Sequence, residues 1–332
     1  MTYHLNQAVY ELSLRCNLKC SHCGSNAGLP RKNELSLNES LNLIRDLNDL
    51  GVTMITLIGG EPFLHPNWIS IAKTISDYGI RLAIITNGYH LSESIFSEVE
   101  KLDPYEIALS LDGSREIHDL IRSSGSFDQV LATIHKFQAL NVPTGVITTV
   151  SKMNLHTLDD ILTVILQNGI DAWQIQAALP IGRMEDGVIL SNSDYKRVVD
   201  FIYRVRTLYR NYLFLNGADC MGLGAKELVT KIDYSQGNCA AGKSVIGIRS
   251  DGDVVGCLSM MDDHYVEGNI RNRSLIEIWN DNNTFSYNRS SSDLTGKCVG
   301  CIQARTCKGG CKSMNIAWGH PNESPYCMQF LN

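Results

Sequence analysis

Ala8-Val-Tyr-Glu-Leu-Ser-Leu14, a β-rich run, leads through Arg15 into Cys16-Asn-Leu-Lys-Cys20-Ser-His-Cys23. A strand that ends in C-x3-C-x2-C places three thiols at the carboxyl end of a strand, the end where β/α folds build their active sites. The rest of the first half repeats that strand-then-helix rhythm. Further strand-like runs are Thr53–Ile58, Arg81–Thr86, Glu106–Leu111, Thr144–Val150 and Ala172–Ala177. Amphipathic stretches separate them: Asn38–Leu50, Trp68–Tyr78, Glu93–Leu102, Phe127–Leu140 and Leu155–Gln167. In the first of these, Leu41, Ile44, Leu47 and Leu50 recur every three residues and mark a helix face. Strands alternating with helices imply parallel β/α units. Six units predict a partial (β/α)6 TIM-like barrel, short of the eight that close a full one.

Composition narrows the function classes. The chain has 332 residues, 44% hydrophobic and 19% charged, which are ordinary globular values. A formal net charge of −6 argues against nucleic acid as a partner, since that needs a broad basic face. No apolar run approaches the roughly 20 residues that cross a bilayer, and Met1–Gln7 lacks the basic and apolar regions of a secretory signal. The expectation is a cytoplasmic protein with no membrane partner. Eleven cysteines are the anomaly: three lie between Cys16 and Cys23, none from there to Cys220, and eight from Cys220 onward. Clustered cysteines in a reducing compartment bind metal or do redox chemistry. The split predicts two metal-bearing regions on one scaffold. The domain reading is a barrel over 1–185, a linking region over 186–235 whose helix near Asp194–Arg210 could continue the sixth unit, and a cysteine-rich domain over 236–332. The serine-rich 290–293 stretch reads as a loop.

Each strand of the barrel is followed by residues suited to a ligand. Met54–Ile58 ends in Gly59-Gly60-Glu61-Pro62. Glycines let backbone approach a ligand closely, and a carboxylate pairs with an ammonium group. The third strand ends in Thr86-Asn87-Gly88, and the fourth in Ser110-Leu-Asp112-Gly113, with His118, Asp119 and Arg122 beyond. Singly, these are turns, helix caps and solvent charges. The triad itself admits a zinc knuckle or unrelated core thiols as well as a four-iron cluster. Three thiolates would leave one iron of such a cluster open, as catalytic metal sites require. His22 reads as packing against the cysteine loop. Gln174 and Gln176, on the sixth strand before Leu179-Pro180, are either a ligand contact or a buried polar pair.

Taken together, C-x3-C-x2-C after the first strand, Gly-Gly-Glu-Pro after the second and the polar ends of the third and fourth resemble the signature of the radical S-adenosylmethionine (SAM) superfamily. The resemblance implies that Cys16, Cys20 and Cys23 hold a [4Fe-4S] cluster whose open iron is chelated by SAM. Reduction would then cleave SAM to a 5′-deoxyadenosyl radical that takes hydrogen from a substrate. It also implies that Gly59, Gly60 and Glu61 hold the SAM amino group, that Thr86, Asn87, Ser110 and Asp112 contact the cofactor, and that Arg122 pairs with its carboxylate. SAM carries the difficult chemistry, and the protein binds and orients it.

The later cysteines run Cys239-x12-Gly252-x4-Cys257, then Cys298-x2-Cys301-x5-Cys307-x3-Cys311, and finally Cys327. This spacing resembles the seven-cysteine SPASM extension of that superfamily, so the likeness covers nearly the whole chain except about residues 180–235. By the family pattern, Cys298, Cys301, Cys307 and Cys327 close one auxiliary cluster, and Cys239, Cys257 and Cys311 supply three thiolates to another, three [4Fe-4S] clusters in all. Structural zinc is the rival for paired C-x2-C elements. Cys220 stays open between a fourth ligand, a thiol that donates hydrogen to a substrate radical, and a buried core thiol.

The subgroup resemblance points to an oxidoreductase: a peptide maturase that abstracts hydrogen from a ribosomally made precursor peptide and forms a C–C or thioether crosslink. Peptide epimerisation through Cys220, sulfatase activation, small-molecule dehydrogenation and, outside enzymes, an iron–sulfur carrier are the alternatives. The implied partners are the precursor peptide and an electron donor such as flavodoxin or ferredoxin. About seven residues precede the first strand, so the leader is expected to be held by the linking region, the C-terminal domain or a separate leader-binding protein.

Overall fold

In the computed structural model, residues 3–218, 221, 239–289 and 294–327 are described. Local chemistry sets the first β/α unit. Ser36 caps the helix α1 (Leu37–Asp49) by accepting from the Glu39 amide, while the Glu39 carboxylate returns to the Ser36 backbone. That reciprocal box satisfies two of the amides a helix start leaves unpaired. Its buried stripe is Ser40, Leu43, Ile44 and Leu47, so Leu41 and Leu50 lie at the margin rather than on the core face. The remaining long helices are α2 (Trp68–Asp77), α3 (Glu93–Leu102), α4 (Arg115–Ile121), α5 (Ser126–Ala139), α6 (Leu158–Gln167), α7 (Asn192–Tyr209) and, among the C-terminal cysteines, the short α8 (Leu275–Asn280). Each fully buried leucine or isoleucine on these faces contributes about 1.5–3 kcal/mol.

The strands are β1 (Gln7–Glu11), β2 (Met54–Ile58), β3 (Arg81–Thr86), β4 (Glu106–Ser110), β5 (Thr144–Val150), β6 (Ala172–Ala177), β7 (Phe214–Gly217), β8 (Val245–Ile248), β9 (Asp253–Val255) and β10 (Val266–Asn269). They form one sheet in the order β10-β9-β8-β1-β2-β3-β4-β5-β6-β7. Strands β1 to β6 pair in sequence and in parallel, and β1 has no ladder to β6, so the barrel is partial and TIM-like. The first strand stops at Glu11, three residues short of the expected Leu14, although the Leu12 amide still donates to the Ile58 carbonyl.

The sheet extends beyond six strands at both edges. Within the stretch read as a linking region, α7 buries Val198, Val199, Ile202 and Val205, and β7 pairs in parallel with β6, Ala172 opposite Phe214. The segment therefore continues the barrel instead of merely spanning two domains. A four-residue strand with an exposed Phe214 carries no periodicity, which is why its sequence did not announce it. At the other edge, β8 pairs in parallel with β1, Gln7 opposite Val245, and β9 and β10 follow antiparallel. The cysteine-rich region is thus stitched into the barrel sheet. Polar contacts reinforce the seam: the Ser250 amide and hydroxyl donate to Glu11 Oε1 at 3.1 and 3.0 Å, and Arg31 reaches Glu11 at 2.6 Å. The 290–293 stretch, residues 219, 220 and 222–235 of the expected linking region, and residues 236–238 of the expected cysteine-rich domain lie outside the described residues. Among the described residues no helix is long and apolar enough to cross a membrane.

Candidate cofactor site at the barrel mouth

The three N-terminal cysteines sit on a loop beyond β1 whose two arms are tied at the base: the Cys16 amide donates to Gly28 O, and the Gly28 amide to Leu14 O. Cys16, Cys20 and Cys23 line one cleft of about 320 Å³. The same cleft is lined by Gly59 and Gly60 beyond β2, Thr86 and Asn87 at the end of β3, Ser110 of β4, Arg122, Gln174 and Gln176 of β6, and Leu258, Ser259 and Met261 from the C-terminal region. Residues far apart in the sequence meet there.

The glycines of the second motif have a backbone reason. Gly59 sits at φ +154°, and a Cβ on it would lie 2.2 Å from the Ser13 carbonyl oxygen; one on Gly60 would lie 2.3 Å from that of Arg15. The Gly60 and Glu61 amides donate to those same carbonyls at 2.7 and 2.8 Å. Glycine here lets the loop after β2 lie directly on the chain entering the cysteine loop. Glu61 is wholly buried and does not line the cleft. It accepts from Thr86 Oγ1 at 2.8 Å, the Asn87 amide at 2.9 Å and the Phe63 amide at 3.3 Å, binding the ends of β2 and β3 together. Burial pushes its carboxyl up to about 7, against those hydrogen bonds.

Asp112 is likewise wholly buried, and its role is to hold other side chains. Its Oδ2 takes Arg122 Nε at 2.5 Å and His22 Nε2 at 2.9 Å, and its Oδ1 takes the Thr149 amide at 2.9 Å. Burial alone would raise the Asp112 carboxyl, but Arg122 and then His22 hold it well below the usual carboxylate range. Arg122 in turn directs Nη1 at Cys20 Sγ, 3.8 Å away, while Asn87 Nδ2 lies 3.7 Å from Cys16 Sγ. The Leu18 and Ala27 amides donate to Cys16 and Cys23 sulfur, each at 3.4 Å. Every thiol of the triad thus meets a donor that would stabilise it as thiolate.

This donor set fits an iron–sulfur cluster. Three thiols share a cleft, His22 is committed to Asp112, and among the described residues no three His, Cys, Asp or Glu side chains close round a single metal ion. Of the residues expected to contact SAM, Gly59, Gly60, Thr86, Asn87, Ser110 and Arg122 line the cleft, whereas Glu61 and Asp112 stand behind it.

The C-terminal cysteines fall into two neighbourhoods. Cys239, Cys257 and Cys311 lie close enough for charge on one thiol to raise the next, and burial adds to this, pushing Cys257 up to about 12. Cys307 is influenced in the same way by Cys327 and Cys298. Lys312, buried, stands near Cys239, Cys307 and Cys298, with its Nζ 4.7 Å from the Tyr287 ring centre. Cys220 lies outside the described residues.

Sequence reasoning passed over several residues that build this site. Thr149 carries Gln176 on its hydroxyl at 2.9 Å, and Asn154 Nδ2 donates to the Asp112 carbonyl at 2.7 Å. Arg183 binds the Cys20 carbonyl at 2.9 Å. None belongs to a spaced motif, so the sequence alone offered no signal for them.

Comparison with known proteins agrees with this geometry. The radical SAM superfamily model matches residues 10–165, and a model described as SPASM, iron–sulfur cluster-binding domain, matches residues 239–302. An AdoMet-dependent heme synthase of Methanosarcina barkeri is 28% identical, covering 96% of this chain and 95% of its own. Mycofactocin maturase MftC of Mycobacterium tuberculosis is 26% identical, over 95% of this chain and 80% of its own. The crystal structure of Streptococcus suis SuiB bound to precursor peptide SuiA superposes with a TM-score of 0.80 at 18% identity, covering 97% of this chain and 75% of that one. With the barrel and the C-terminal cysteine region each matched in place, the chain belongs to the radical SAM superfamily and is an enzyme of its SPASM-bearing branch.

Proposed function

We propose that the chain is a peptide maturase that oxidises a ribosomally made precursor peptide, with an oxidative crosslink, C–C or thioether, as the product. The observation that carries this reading is the composition of the cleft wall. The cysteine triad stands on one side, and Leu258, Ser259 and Met261, residues that follow Cys257, stand on another, so a substrate there would meet both the triad and the wall next to the C-terminal cysteines. A crosslink removes two electrons from the substrate, and a second set of clusters beside the cleft suits the removal of the second one. Gln174 and Gln176 present amides to the cleft, groups that match the donors and acceptors of a peptide backbone. The likeness to SuiB with its bound peptide, and to a relative named a maturase, supports the same reading.

In this proposal Cys16, Cys20 and Cys23 hold a four-iron cluster, and the C-terminal cysteines hold two more. SAM bound at the first supplies, on reduction, homolytic abstraction of hydrogen from an unactivated C–H bond. The chain's own residues do the rest. Gly59, Gly60, Thr86 and Asn87 offer backbone and side-chain groups to the amino-acid end of SAM. Arg122, fixed by Asp112, presents its charge to the cofactor carboxylate and to Cys20 sulfur. Gln174 and Gln176 orient the substrate, and the C-terminal wall excludes water. Epimerisation, with Cys220 as hydrogen donor, is the neighbouring alternative.

A second reading is favoured by the AdoMet-dependent heme synthase, which matches this chain nearly end to end. It places a tetrapyrrole, not a peptide, at the same cleft. One experiment separates the two: reconstituted enzyme, SAM and reductant are incubated with short peptides encoded beside the gene and, separately, with iron-loaded tetrapyrroles, and products are weighed by mass spectrometry. A peptide lighter by two hydrogens supports the crosslinking maturase. One deuterium gained from heavy water with no other change supports the epimerase. An unmodified peptide with an oxidised tetrapyrrole, or, in parallel incubations, an oxidised sugar, alcohol or sulfatase peptide, overturns the maturase reading.

A further inference from the structure

Beyond β6 the chain does not simply leave the barrel mouth; it crosses to the cysteine loop. Gly182, at φ +66°, lies so close to that loop that a Cβ on it would meet the Cys23 carbonyl oxygen at 2.2 Å and that of Gly24 at 2.3 Å. The next residue ties both arms of the loop. The Arg183 amide donates to Cys23 O at 3.0 Å, its Nε to Cys20 O at 2.9 Å, and its Nη1 to Ala27 O at 2.7 Å and Asn26 Oδ1 at 3.1 Å. Ile181 completes the contact, its Cδ1 placed 3.4 Å from where a Cβ on Gly24 would stand.

These contacts matter because β6 and β1 are not neighbours in the sheet. On its other side the loop is held by the Ser21 amide on the Ile121 carbonyl at 2.9 Å. No ladder joins the strand beneath the cysteines to the strand beneath Gln174 and Gln176, so the spacing between cluster loop and substrate wall depends on what crosses the gap. A guanidinium is suited to this, since its planar fork reaches several oxygens at fixed angles where an ammonium is a single point of charge.

The geometry points to Gly182-Arg183 as a clamp in which Arg183 is a positioning residue: it sets the spacing of Cys20, Cys23 and the Ala27 arm, and ties that spacing to the β6 wall. The inference rests on the reading that Cys16, Cys20 and Cys23 hold the SAM-binding cluster. Residues that orient metal ligands in this indirect way commonly change metal affinity about 10- to 100-fold when lost.

The test uses full-length, anaerobically reconstituted protein and reads the electron paramagnetic resonance spectrum of the reduced enzyme with and without SAM, with the rate of iron loss to a chelator. The wild type and the Cys16→Ala/Cys20→Ala/Cys23→Ala variant are run first. If the wild-type spectrum does not respond to SAM, or the triple variant still responds, the cluster assignment fails, and the clamp falls with it. If the assignment stands, Arg183→Ala and Gly182→Ala should lose the SAM-responsive cluster's iron roughly 10- to 100-fold faster, with a diminished response to SAM and the C-terminal irons retained. Arg183→Lys, which keeps the charge but not the fork, should behave more like Arg183→Ala than like the wild type. Asn26→Ala, which removes one contact at the edge of the clamp, gives a smaller change in the same direction and decides the matter should the harsher variants not fold. Wild-type iron retention and SAM response in Arg183→Lys and Asn26→Ala would overturn the clamp.

Discussion

Cys20 at the barrel mouth and Cys257 after β9 are both thiols set among other thiols, yet their surroundings differ. Cys20 has the Arg122 guanidinium 3.8 Å from its sulfur and faces a cleft lined by residues from distant parts of the sequence. Cys257 has Cys239 and Cys311 as its charged neighbours, and burial leaves its thiol well above the ordinary range. Burial raises the Cys20 thiol too, but the Arg122 guanidinium works against that rise, and the cleft leaves room for a ligand. At Cys257 the neighbouring thiols add to the rise, against hydrogen bonds from the Ser259 amide and hydroxyl, and a bound metal would take up the remaining charge. In the proposed reading, one fold holds a site that stays open to a ligand beside sites that are filled by metal.

The largest effect that sharpens this contrast is on metal content. Three four-iron clusters predict about twelve irons per chain, and alanine at Cys16, Cys20 and Cys23 should remove about four of them. Anaerobic iron, zinc and sulfide analysis reads this directly. Saturation near four irons, with stoichiometric zinc, would erase the second half of the comparison.

Next in size is the buried charge group at the mouth. Arg122→Ala leaves Asp112 without its guanidinium at a site with no exposure, which should cost roughly 3–5 kcal/mol and weaken SAM binding. The sign with pH follows from the depressed Asp112 carboxyl. Its stabilising contribution is present above the unfolded value of about 3.9 and is lost as pH falls below it. Denaturant titrations at pH 4 and pH 2, below the Glu61 window, should show the wild type losing stability on acidification and Arg122→Ala losing less.

Glu61 gives an effect of opposite sign. Its carboxyl is raised from 4.5 to about 7, so folding stability should fall by about 3 kcal/mol as pH rises through that window and then level off. Glu61→Gln should flatten the profile. It should also weaken SAM binding more than cluster assembly if the carboxylate reaches the ammonium through the Thr86–Asn87 turn. An unchanged SAM affinity would make Glu61 a tie between β2 and β3 alone.

The smallest effect distinguishes the two regions by potential. Lys312 is buried near Cys239 on one side and Cys307 and Cys298 on the other. Removing its charge in Lys312→Met should lower the midpoint potentials of the C-terminal clusters by tens of millivolts, on the order expected for one nearby charge. The cluster at the mouth should not move. A shift confined to the mouth would reverse the assignment.

How much of this was legible beforehand follows from where each signal resides. The Arg81–Thr86, Thr144–Val150 and Ala172–Ala177 strands and the Glu93–Leu102 helix stand as their patterns imply, because each buries a regular apolar face. The strands β7 and β8 escaped as sheet members because pairing between Val245 and Gln7 depends on residues far apart in sequence. The same holds in the site. Cys16, Cys20, Cys23, Gly59 and Gly60 announce themselves by spacing, while Arg183 acts through carbonyls that no spacing records. Asp112 and Glu61 were visible as residues, but their burial behind the cleft was not.

The central claim, that the mouth alone is the open site, is tested most directly by counting 5′-deoxyadenosine released from SAM under reduction. Three proteins suffice: the wild type, the Cys16→Ala/Cys20→Ala/Cys23→Ala variant, and a variant with alanine at Cys298, Cys301 and Cys307. The account predicts release by the wild type, none from the first variant, and reduced but measurable release from the second, whose mouth is intact. Release that survives loss of the N-terminal triad and disappears with the C-terminal cysteines would contradict it.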